Sequence, residues 1–383
     1  MSITHAPAAS RAPRLDLVAL CAAVATLICA GPAVAVITLA LLPDQGANFG
    51  GALLRDGAVG TALLIAIGGG GAVVLGAGAA WLVSLCKFPG RAMFEWLLVL
   101  PLAAPSYVLA YAYSSLTWAG GPVPFPVNGL WGAAFVYAVG LYPYVYLAAL
   151  AAFASQSSCA LEAARTLGAR PAKLFFGVAL PMARPGIVAG GALALMEIAA
   201  DYGAAHHFGL TTLSTAVFRA WYAHGNPHGA LQISAVLLAA AIAFLVLERR
   251  ARGRESYAGG STRWRTLPRY QLGAAAGAAA SAFCALLIVL GAALPLAWLA
   301  RLALLHPNAN DLITPFFNSV ALAALGAAVT LAIAAAIAGA ARRAGALGKG
   351  ALFVAGMGYA APGAVIALGA LSLFGLAREA GWI

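Results

Sequence analysis

The amino-acid sequence predicts an all-α protein, a polytopic bundle of transmembrane helices. Hydrophobic residues make up 63% of the 383 residues and charged residues only 9%, with a mean hydropathy of +0.91. A soluble domain carries roughly a quarter charged residues, so this chain has too few charges to cover a water-facing surface. Its continuous apolar runs favour helices over the shorter, alternating strands of a membrane barrel.

Apolar runs of about 20 residues, long enough to cross a bilayer, recur about nine times. The first run follows Arg11 and Arg14 but is too long for the core of a secretion signal, so we interpret it as an uncleaved span. Cleavage after residues 33–35 is the alternative. The predicted spans are residues 17–42, 58–86, 93–115, 129–154, 186–203, 229–248, 273–300, 317–341 and 350–376.

The basic residues indicate the orientation of these spans, because Lys and Arg collect in the short cytoplasmic loops of membrane proteins. The net charge is +11. With a cytoplasmic N-terminus, most basic residues fall on the inner side, including the arginines between Arg249 and Arg269. The pattern predicts a multi-pass membrane protein in contact with lipid, and it does not indicate nucleic-acid binding. The exceptions on the outer side are Arg55, Arg219, Arg301 and Arg378.

No motif in the sequence points to catalysis, a cofactor or a metal site. The five cysteines form no close pair, and we interpret them as small apolar side chains. The phosphate-binding pattern GxxxxGK[ST] does not occur, nor do HExxH, GxSxG or a GxGxxG context. We therefore predict that the chain is not an enzyme and has no catalytic residues.

A charged loop between two apolar runs carries the most specific pattern, EAARTLGARPAKLFFGVALP, from Glu162 to Pro181. Gly168 can end a short helix in the left-handed conformation, and Pro171 suits the first turn of a second helix. An apolar stripe then runs from Leu174 to Val178. Two helices at a fixed angle would form a rigid knob. The alternative is an ordinary amphipathic turn at the membrane interface.

Two carboxylates lie in the span predicted for residues 186–203. Glu197 and Asp201 are four residues apart, so they are predicted to share one helix face, from the middle to the outer part of the membrane. A carboxylate at that depth is costly and tends to face a pathway or a partner. The pair could line a polar path for a cationic or strongly hydrated substrate, or form a hydrogen-bonded structural pair. Direct metal ligation is the third interpretation.

Four histidines follow the acidic pair in a predicted outer loop. His224 and His228 are spaced as ligands on one helix face would be, but Gly225 and Pro227 favour a loop there. The histidines could form a docking surface for a receptor or be structural, and metal capture is the alternative. The other two are His206 and His207.

A shift of 257 residues brings residues 103–110, AAPSYVLA, onto residues 360–367, AAPGAVIA. The order of span, basic turn, span and Ala-Ala-Pro recurs with it, so we predict two tandem repeats, as many transporters have. The second copy of the charged loop would fall beyond Ile383, so the second repeat is expected to be partial. Pro105, Pro143 and Pro362 are predicted to kink their helices. The predicted domains are residues 1–56 (tail and extra span), 57–248 (first domain), 249–272 (basic cytoplasmic linker) and 273–383 (partial second domain).

The charged loop resembles, position by position, the EAA loop of importer-type ATP-binding-cassette permeases. NGLWGAAFVYAVGLYPYVYL and MEIAADYGAAHHFGLTTLSTAVFRAWY are similar to segments of the ferric-iron permeases of that class. The resemblance implies a type I importer of the bacterial inner membrane with a maltose-permease-like fold. It also implies a cytoplasmic ATP-binding subunit dimer that hydrolyses ATP and a periplasmic substrate-binding protein. The residues that it assigns to ATPase coupling are Glu162, Ala163, Ala164, Gly168, Leu174, Val178, Leu180 and Pro181.

The function that these observations predict is ferric-iron import by alternating access, coupled through the charged loop. The acidic pair Glu197 and Asp201 is predicted to line the translocation path. One alternative is a permease for another small substrate, such as thiamine, a polyamine or a phosphonate. Another is a truncated structural subunit that does not transport.

Overall fold

A computed structural model confirms the all-α fold class, since almost all of the residues that it describes are helical. The structure describes residues 17–42, 50–117, 126–154, 166–167, 171–253, 269–305, 312–343, 350, 361–379 and 381.

In the first part of the chain, long helices alternate with short breaks and π turns. A two-residue strand, β1 (Cys86–Lys87), follows α3, and a 3-10 turn, Leu100–Ala103, follows α4. A π turn, Ile65–Gly69, joins α2 to α3. The helices are α1 (Leu17–Ala40), α2 (Gly50–Leu64), α3 (Gly70–Leu85), α4 (Arg91–Leu97), α5 (Ser106–Leu116) and α6 (Gly129–Ala154).

The rest of the described chain again consists of helices, several of them joined by π turns. Three π turns, Phe175–Ala179, Arg219–Ala223 and Val289–Ala293, connect successive helices, and β2 (Tyr270–Gln271) precedes α12. The helices are α7 (Pro171–Leu174), α8 (Leu180–Ala200), α9 (Gly203–His207), α10 (Leu213–Phe218), α11 (Pro227–Gly253), α12 (Ala274–Ile288), α13 (Leu294–Leu305), α14 (Ile313–Arg343) and α15 (Gly363–Glu379).

Within the described ranges, six helices are long and apolar enough to span a membrane, against the nine spans predicted. A seventh span arises if the bent pair Arg91–Ala103 and Ser106–Leu116 is one crossing. The first and last predicted spans contain shorter continuous apolar helices, Ala30–Ala40 and Gly363–Arg378. The six are Gly51–Leu85, Gly129–Ala154, Phe175–Ala200, Pro227–Arg250, Ala274–Leu305 and Ile313–Gly339.

The run predicted as one span at residues 93–115 is broken by a 90° bend. Ala104 has an extended backbone (φ −103°, ψ 116°), as the residue before a proline prefers, and α5 begins directly after Pro105. Of the other two predicted kink sites, Pro143 lies inside a helix that continues through it, and Pro362 precedes α15.

The two prolines related by the 257-residue shift have the same local hydrogen bonds. The Pro105 carbonyl accepts from the amides of Val108 at 3.0 Å and Leu109 at 3.2 Å. The Pro362 carbonyl accepts from the amides of Val365 at 2.9 Å and Ile366 at 3.2 Å. Each proline therefore precedes a helix whose first amides donate to its carbonyl, as at any helix start, and the tandem repeat stays a prediction.

The span predicted at residues 186–203 was misplaced at both ends. Helical structure begins at Pro171 and continues without a break to Ala200. Pro171 is the first helical residue, as predicted, because proline lacks only an amide that the first turn does not use. The second helix of the charged loop and the membrane span are thus one rod.

Helices α3, α6 and α8 pack together at the centre of the larger of two compact units, which comprises residues 35–307 and 360–383. Glycines let the backbones of these helices approach one another. A Cβ atom on Gly76 would lie 2.5 Å from the Tyr142 carbonyl oxygen, and one on Gly190 would lie 2.7 Å from that of Tyr144. Small residues serve this purpose in membrane bundles, where close packing replaces the hydrophobic effect. Four aromatic side chains of α6, those of Tyr137, Tyr142, Tyr146 and Phe153, are fully buried.

The α12–α13 segment packs against the first part of the chain within this unit. Strand β2 pairs in parallel with β1, with Cys86 opposite Tyr270. The Trp298 indole nitrogen donates to Ser115 Oγ at 3.0 Å. A Cβ on Gly291 would lie 2.6 Å from Pro101 Cγ, so this glycine allows a close approach.

Two compact units are distinguished by their internal contacts. The larger one comprises residues 35–307 and 360–383, and the smaller one comprises residues 1–34 and 308–359. Most side chains of α14, which belongs to the smaller unit, are exposed. The site described below lies entirely in the larger unit.

Candidate functional site

A cavity of about 340 Å³ lies between the start of α5, the middle of α6 and the end of α8. We call it the acidic cavity, because its eleven lining residues include the carboxylates of Glu197 and Asp201 and no basic side chain. Ser106 and Tyr144 also line it. The structure thus brings the two sequence-predicted path residues together.

Asp201 is not on the face of α8, contrary to the prediction. The helix ends at Ala200, and Asp201 has an extended backbone with φ −72° and ψ 119°. Its amide still donates to the Glu197 carbonyl at 2.9 Å. The break turns the chain into α9 and directs the Asp201 carboxylate toward the broken helix α5.

The Asp201 carboxylate joins three segments of the chain. Its Oδ1 accepts a hydrogen bond from the Ala204 amide at 3.2 Å, and its Oδ2 accepts one from the Ser106 hydroxyl. The backbone carbonyl of Asp201 accepts from Ser214 Oγ at 2.6 Å. These bonds fix the α8–α9 turn against the start of α5.

Glu197 lies in the last turn of α8 and is half-buried. The Tyr144 hydroxyl donates to its Oε1 at 3.4 Å. Its carboxylate faces the acidic cavity.

A buried tyrosine approaches Asp201 from α6. Tyr137 is 0% exposed and packs with Ala110, Ile198 and Ala204. Its hydroxyl interacts with the Asp201 carboxylate and with the backbone of Ala205, although neither contact has the geometry of a full hydrogen bond.

A second cavity, of about 480 Å³, adjoins the first at Tyr202, and we call it the aromatic cavity. Its polar lining comprises Tyr107, Tyr111, Tyr202, His206 and His207. The Tyr202 ring stacks on His206 at 5.0 Å between centroids. His207 Nε2 and Ser114 Oγ are 2.6 Å apart.

The other two histidines lie elsewhere. His224 follows a π turn, and His228 lies in the first turn of α11, with its Nε2 3.1 Å from Gln232 Nε2. Within the described part of the chain, no group of three or more His, Cys, Asp or Glu side chains is arranged to hold a metal ion.

Part of the charged loop lies outside the described residues, namely Glu162, Ala163, Ala164 and Gly168. The apolar stripe that follows it faces the bundle: Leu174 is 1% exposed, and Val178 and Leu180 pack on the same core. The Phe175 ring contacts Trp81 at 4.6 Å between centroids. Pro181 is the second residue of α8. The stripe therefore anchors the loop's second helix, and it leaves Phe176 exposed.

Sequence reasoning missed the hydrogen-bonding partners of the two carboxylates. Ser106 directly follows the repeated Ala-Ala-Pro. That motif indicated a helix break, but nothing in it indicated that Ser106 contacts Asp201. Nothing in the sequence distinguishes Tyr137 or Tyr144 from the other ten tyrosines.

A helical membrane bundle with a broken span and a polar cavity at the break has the architecture of a transport subunit. The chain belongs to the family described as binding-protein-dependent transport system inner membrane components, which matches residues 72–248. The family describes a transport component of the membrane and not a catalyst.

Its relatives transport different ions. The Haemophilus influenzae protein "Fe(3+)-transport system permease protein FbpB 2" is 28% identical over 186 residues, which cover 49% of this chain and 35% of that protein. The Escherichia coli K12 molybdenum permease ModB is 30% identical over 196 residues, 47% of this chain and 86% of ModB. The Salmonella typhimurium sulfate permease CysT is 32% identical over 142 residues, 33% of this chain and 48% of CysT.

Proposed function

We propose that this protein is the permease of an ATP-driven importer for ferric iron, which a periplasmic binding protein delivers. The observation that carries the choice of substrate is the acidic cavity, lined by Glu197 and Asp201 with no basic side chain. Two carboxylates in one cavity attract a cation and repel an oxyanion, and in a membrane interior these forces are weakly screened.

The geometry supports coupling of this cavity to an ATPase. The helical rod from Pro171 to Ala200 begins within the charged loop and ends at the acidic cavity. Its length from Pro171 to Glu197 is roughly 40 Å at about 1.5 Å per residue. The buried side chain of Leu174 anchors the near end of the rod. A displacement of the loop by a nucleotide-driven ATPase dimer would therefore reach Glu197.

We propose that Glu162, Ala163, Ala164 and Gly168 form the docking knob and that Leu174, Val178, Leu180 and Pro181 join it to the rod. ATP binding closes the ATPase dimer, moves the loop and opens the path toward the docked binding protein, and hydrolysis resets it. This cycle requires the partners to bind the two states with different affinity. In this arrangement the N-terminus and the basic linker are cytoplasmic.

A second candidate function is oxyanion import. The E. coli molybdenum permease is aligned over 86% of its length, and the N-terminus of α5 borders the acidic cavity. Backbone amides at a helix N-terminus favour anions. At this helix, however, the Ser106 hydroxyl already bonds the Asp201 carboxylate, so an entering anion would meet that charge first.

Uptake by the full chain decides between these functions. The protein, together with the ATP-binding and substrate-binding subunits that co-purify with it, is reconstituted in vesicles and given radiolabelled ferric iron, molybdate or sulfate. We expect ATP-dependent accumulation of iron alone. Accumulation of molybdate or sulfate would establish the oxyanion function. No accumulation of any of the three by a folded, ATPase-bound protein would reject both.

A further inference from the structure

Four consecutive glycines, Gly68–Gly71, lie in the middle of the membrane-spanning helix Gly51–Leu85. Apart from proline, glycine is the least favourable residue inside a helix, because a glycine that leaves the helix regains the most conformational freedom. A run of four glycines in the middle of a span therefore needs a physical reason at each position.

Close packing explains three of the four glycines. Cβ atoms on Gly68 and Gly71 would approach atoms of α6 to 3.1 Å and 2.9 Å, and a Cβ atom on Gly69 would overlap the Leu195 side chain of α8. At Gly70, by contrast, no atom of another element lies within 4 Å of an added Cβ. Packing therefore does not require a glycine at this position.

The backbone hydrogen bonds are irregular at the same residue. Gly70 follows the π turn Ile65–Gly69, and its amide donates to the carbonyls of both Ile65 and Ile67. In a regular α-helix the acceptor would be the carbonyl four residues earlier. The amide is thus shared between a π-type bond and a 3-10-type bond, and helices bend most readily where the α-helical ladder is interrupted in this way.

The two helices on either side of Gly70 pack on different partners. α3 packs chiefly on α6, and α2 packs chiefly on α10. The Leu213 amide of α10 donates to Thr61 Oγ1 of α2 at 2.9 Å, and a Cβ atom on Gly57 would lie 3.2 Å from Ala216 Cβ. We call helices α2 and α10 together the α2–α10 pair.

Both helices of the α2–α10 pair end in a π turn. α2 continues through Ile65–Gly69 into α3, and α10 continues through Arg219–Ala223 toward α11. At its start, α10 has a capping box of its own, in which the amides of Thr212 and Thr215 each donate to the other residue's hydroxyl. The pair is therefore a unit with its own internal bonds, joined to the following helices at two irregular turns.

We propose that Gly70 is a hinge on which the α2–α10 pair swings relative to α3, α6 and α8 during transport. One hydrogen bond carries the movement to the acidic cavity, since Ser214 Oγ of α10 donates to the backbone carbonyl of Asp201 at 2.6 Å. Asp201 lines that cavity. The hinge rests on the proposed alternating access but not on the identity of the transported ion.

Gly70→Ala tests the hinge, because it adds one methyl group in open space and favours the continuous helix. The helix preference of alanine over glycine corresponds to about a fivefold shift between the bent and the continuous form. Gly78→Ala is the matched control, since it lies in α3 and its added Cβ meets only Phe283 Cζ, at 3.9 Å. Both variants should keep or raise the midpoint of thermal unfolding, so a difference in movement between them is not a folding defect.

The distance between two spin labels reports the movement. The labels are attached to Ala52→Cys, near the start of α2, and to Trp131→Cys, on α6, in the full chain with its five native cysteines replaced. Both positions are exposed. Ala52 precedes Gly70 by about 27 Å of helix at about 1.5 Å per residue, so a bend of about 10° displaces its label by about 5 Å. The protein is measured in lipid nanodiscs, first alone and then with the co-purified ATPase, with and without ATP.

In the parent protein, we expect ATP to shift the distance between the labels by about 5 Å. Gly70→Ala should reduce the shifted fraction, and the ATP-driven uptake rate, about fivefold, whereas Gly78→Ala should behave as the parent does. Without the ATPase, the parent should already give a broader distance distribution than Gly70→Ala. Equal distributions and equal responses to ATP in Gly70→Ala and Gly78→Ala would overturn the hinge, as would a distance in the parent that ATP does not change.

The outcomes separate the hinge from the proposed substrate. If the labels respond as expected but vesicles accumulate molybdate and not iron, the hinge stands and the proposed substrate fails. If iron accumulates while the label distance stays fixed, the hinge alone fails.

Discussion

Tyr113 donates its hydroxyl hydrogen to the backbone carbonyl of Leu290, 177 residues away in the sequence. The acceptor lies in the π turn Val289–Ala293 that precedes α13. The bond joins the broken helix α5 to the segment that begins the predicted second repeat. A helix that lines the acidic cavity is thus held by a segment outside the first predicted domain.

Tyr113→Phe tests that dependence. The change leaves the Leu290 carbonyl without its donor in a buried setting, which costs about 1 to 3 kcal/mol. We expect a lower midpoint of thermal unfolding in detergent. Tyr111→Phe is the control, because Tyr111 is on the same helix and 52% exposed. Equal midpoints for the two variants would contradict a structural role for the bond.

Gly291→Val tests the close contact at the same π turn. A Cβ there would lie 2.6 Å from Pro101 Cγ and 2.7 Å from the Val139 carbonyl oxygen. Overpacking of this kind costs about 1 to 3 kcal/mol, so we expect reduced folded yield and a lower unfolding midpoint. Gly70→Val, where no atom lies within 4 Å of the added Cβ, should be tolerated. A fully stable Gly291→Val protein would show that α12–α13 does not pack here as described.

Gly168→Val tests coupling through the charged loop. If Gly168 needs a left-handed backbone, valine strains it by about 1 kcal/mol or more. The expected result is normal membrane insertion with weaker stimulation of the co-purified ATPase. Gly177→Val is the control, because a Cβ at this exposed position meets nothing within 4 Å. Normal stimulation by Gly168→Val at normal expression would remove the coupling role.

The charge asymmetry predicts which segments face the cytoplasm. A cysteine at exposed Ala223, in the π turn before α11, should be labelled from the periplasm. A cysteine at Ala258, in the basic linker, should be labelled only after the membrane is permeabilised. The reverse pattern would invert the proposed orientation.

The sequence was sufficient to predict the fold class and the position of most helices, because long apolar runs leave few alternatives in a membrane. Helix ends were less predictable. The span was predicted to begin at residue 186, yet the helix runs from Pro171 to Ala200 and includes Pro181 and Pro185. A proline in a membrane helix can be accommodated by neighbouring helices and by local π adjustments, such as the turn Phe175–Ala179.

The candidate site was predictable only in part. Glu197 and Asp201 were recognisable because carboxylates are rare within membrane spans. Their partners Ser106, Tyr137 and Tyr144 were not, because these residue types are common in apolar helices and the contact between Ser106 and Asp201 joins positions 95 residues apart. At the end of α8, Asp201 makes a local bond to the Ala204 amide, and it also bonds Ser106 and Ser214 from more distant parts of the chain, contacts that no local pattern encodes.

The central claim is that Glu197 and Asp201 line the path of a cation, and their neutralisation tests it most directly. Ferric-iron uptake per folded, ATPase-bound complex is compared between the parent protein and the double variant Glu197→Gln and Asp201→Asn. Hydrogen bonds to a charged group contribute about 1.5 to 3 kcal/mol, so loss of both charges should slow uptake at least about tenfold while assembly with the ATPase is preserved. Parent-level uptake by the double variant would contradict the claim.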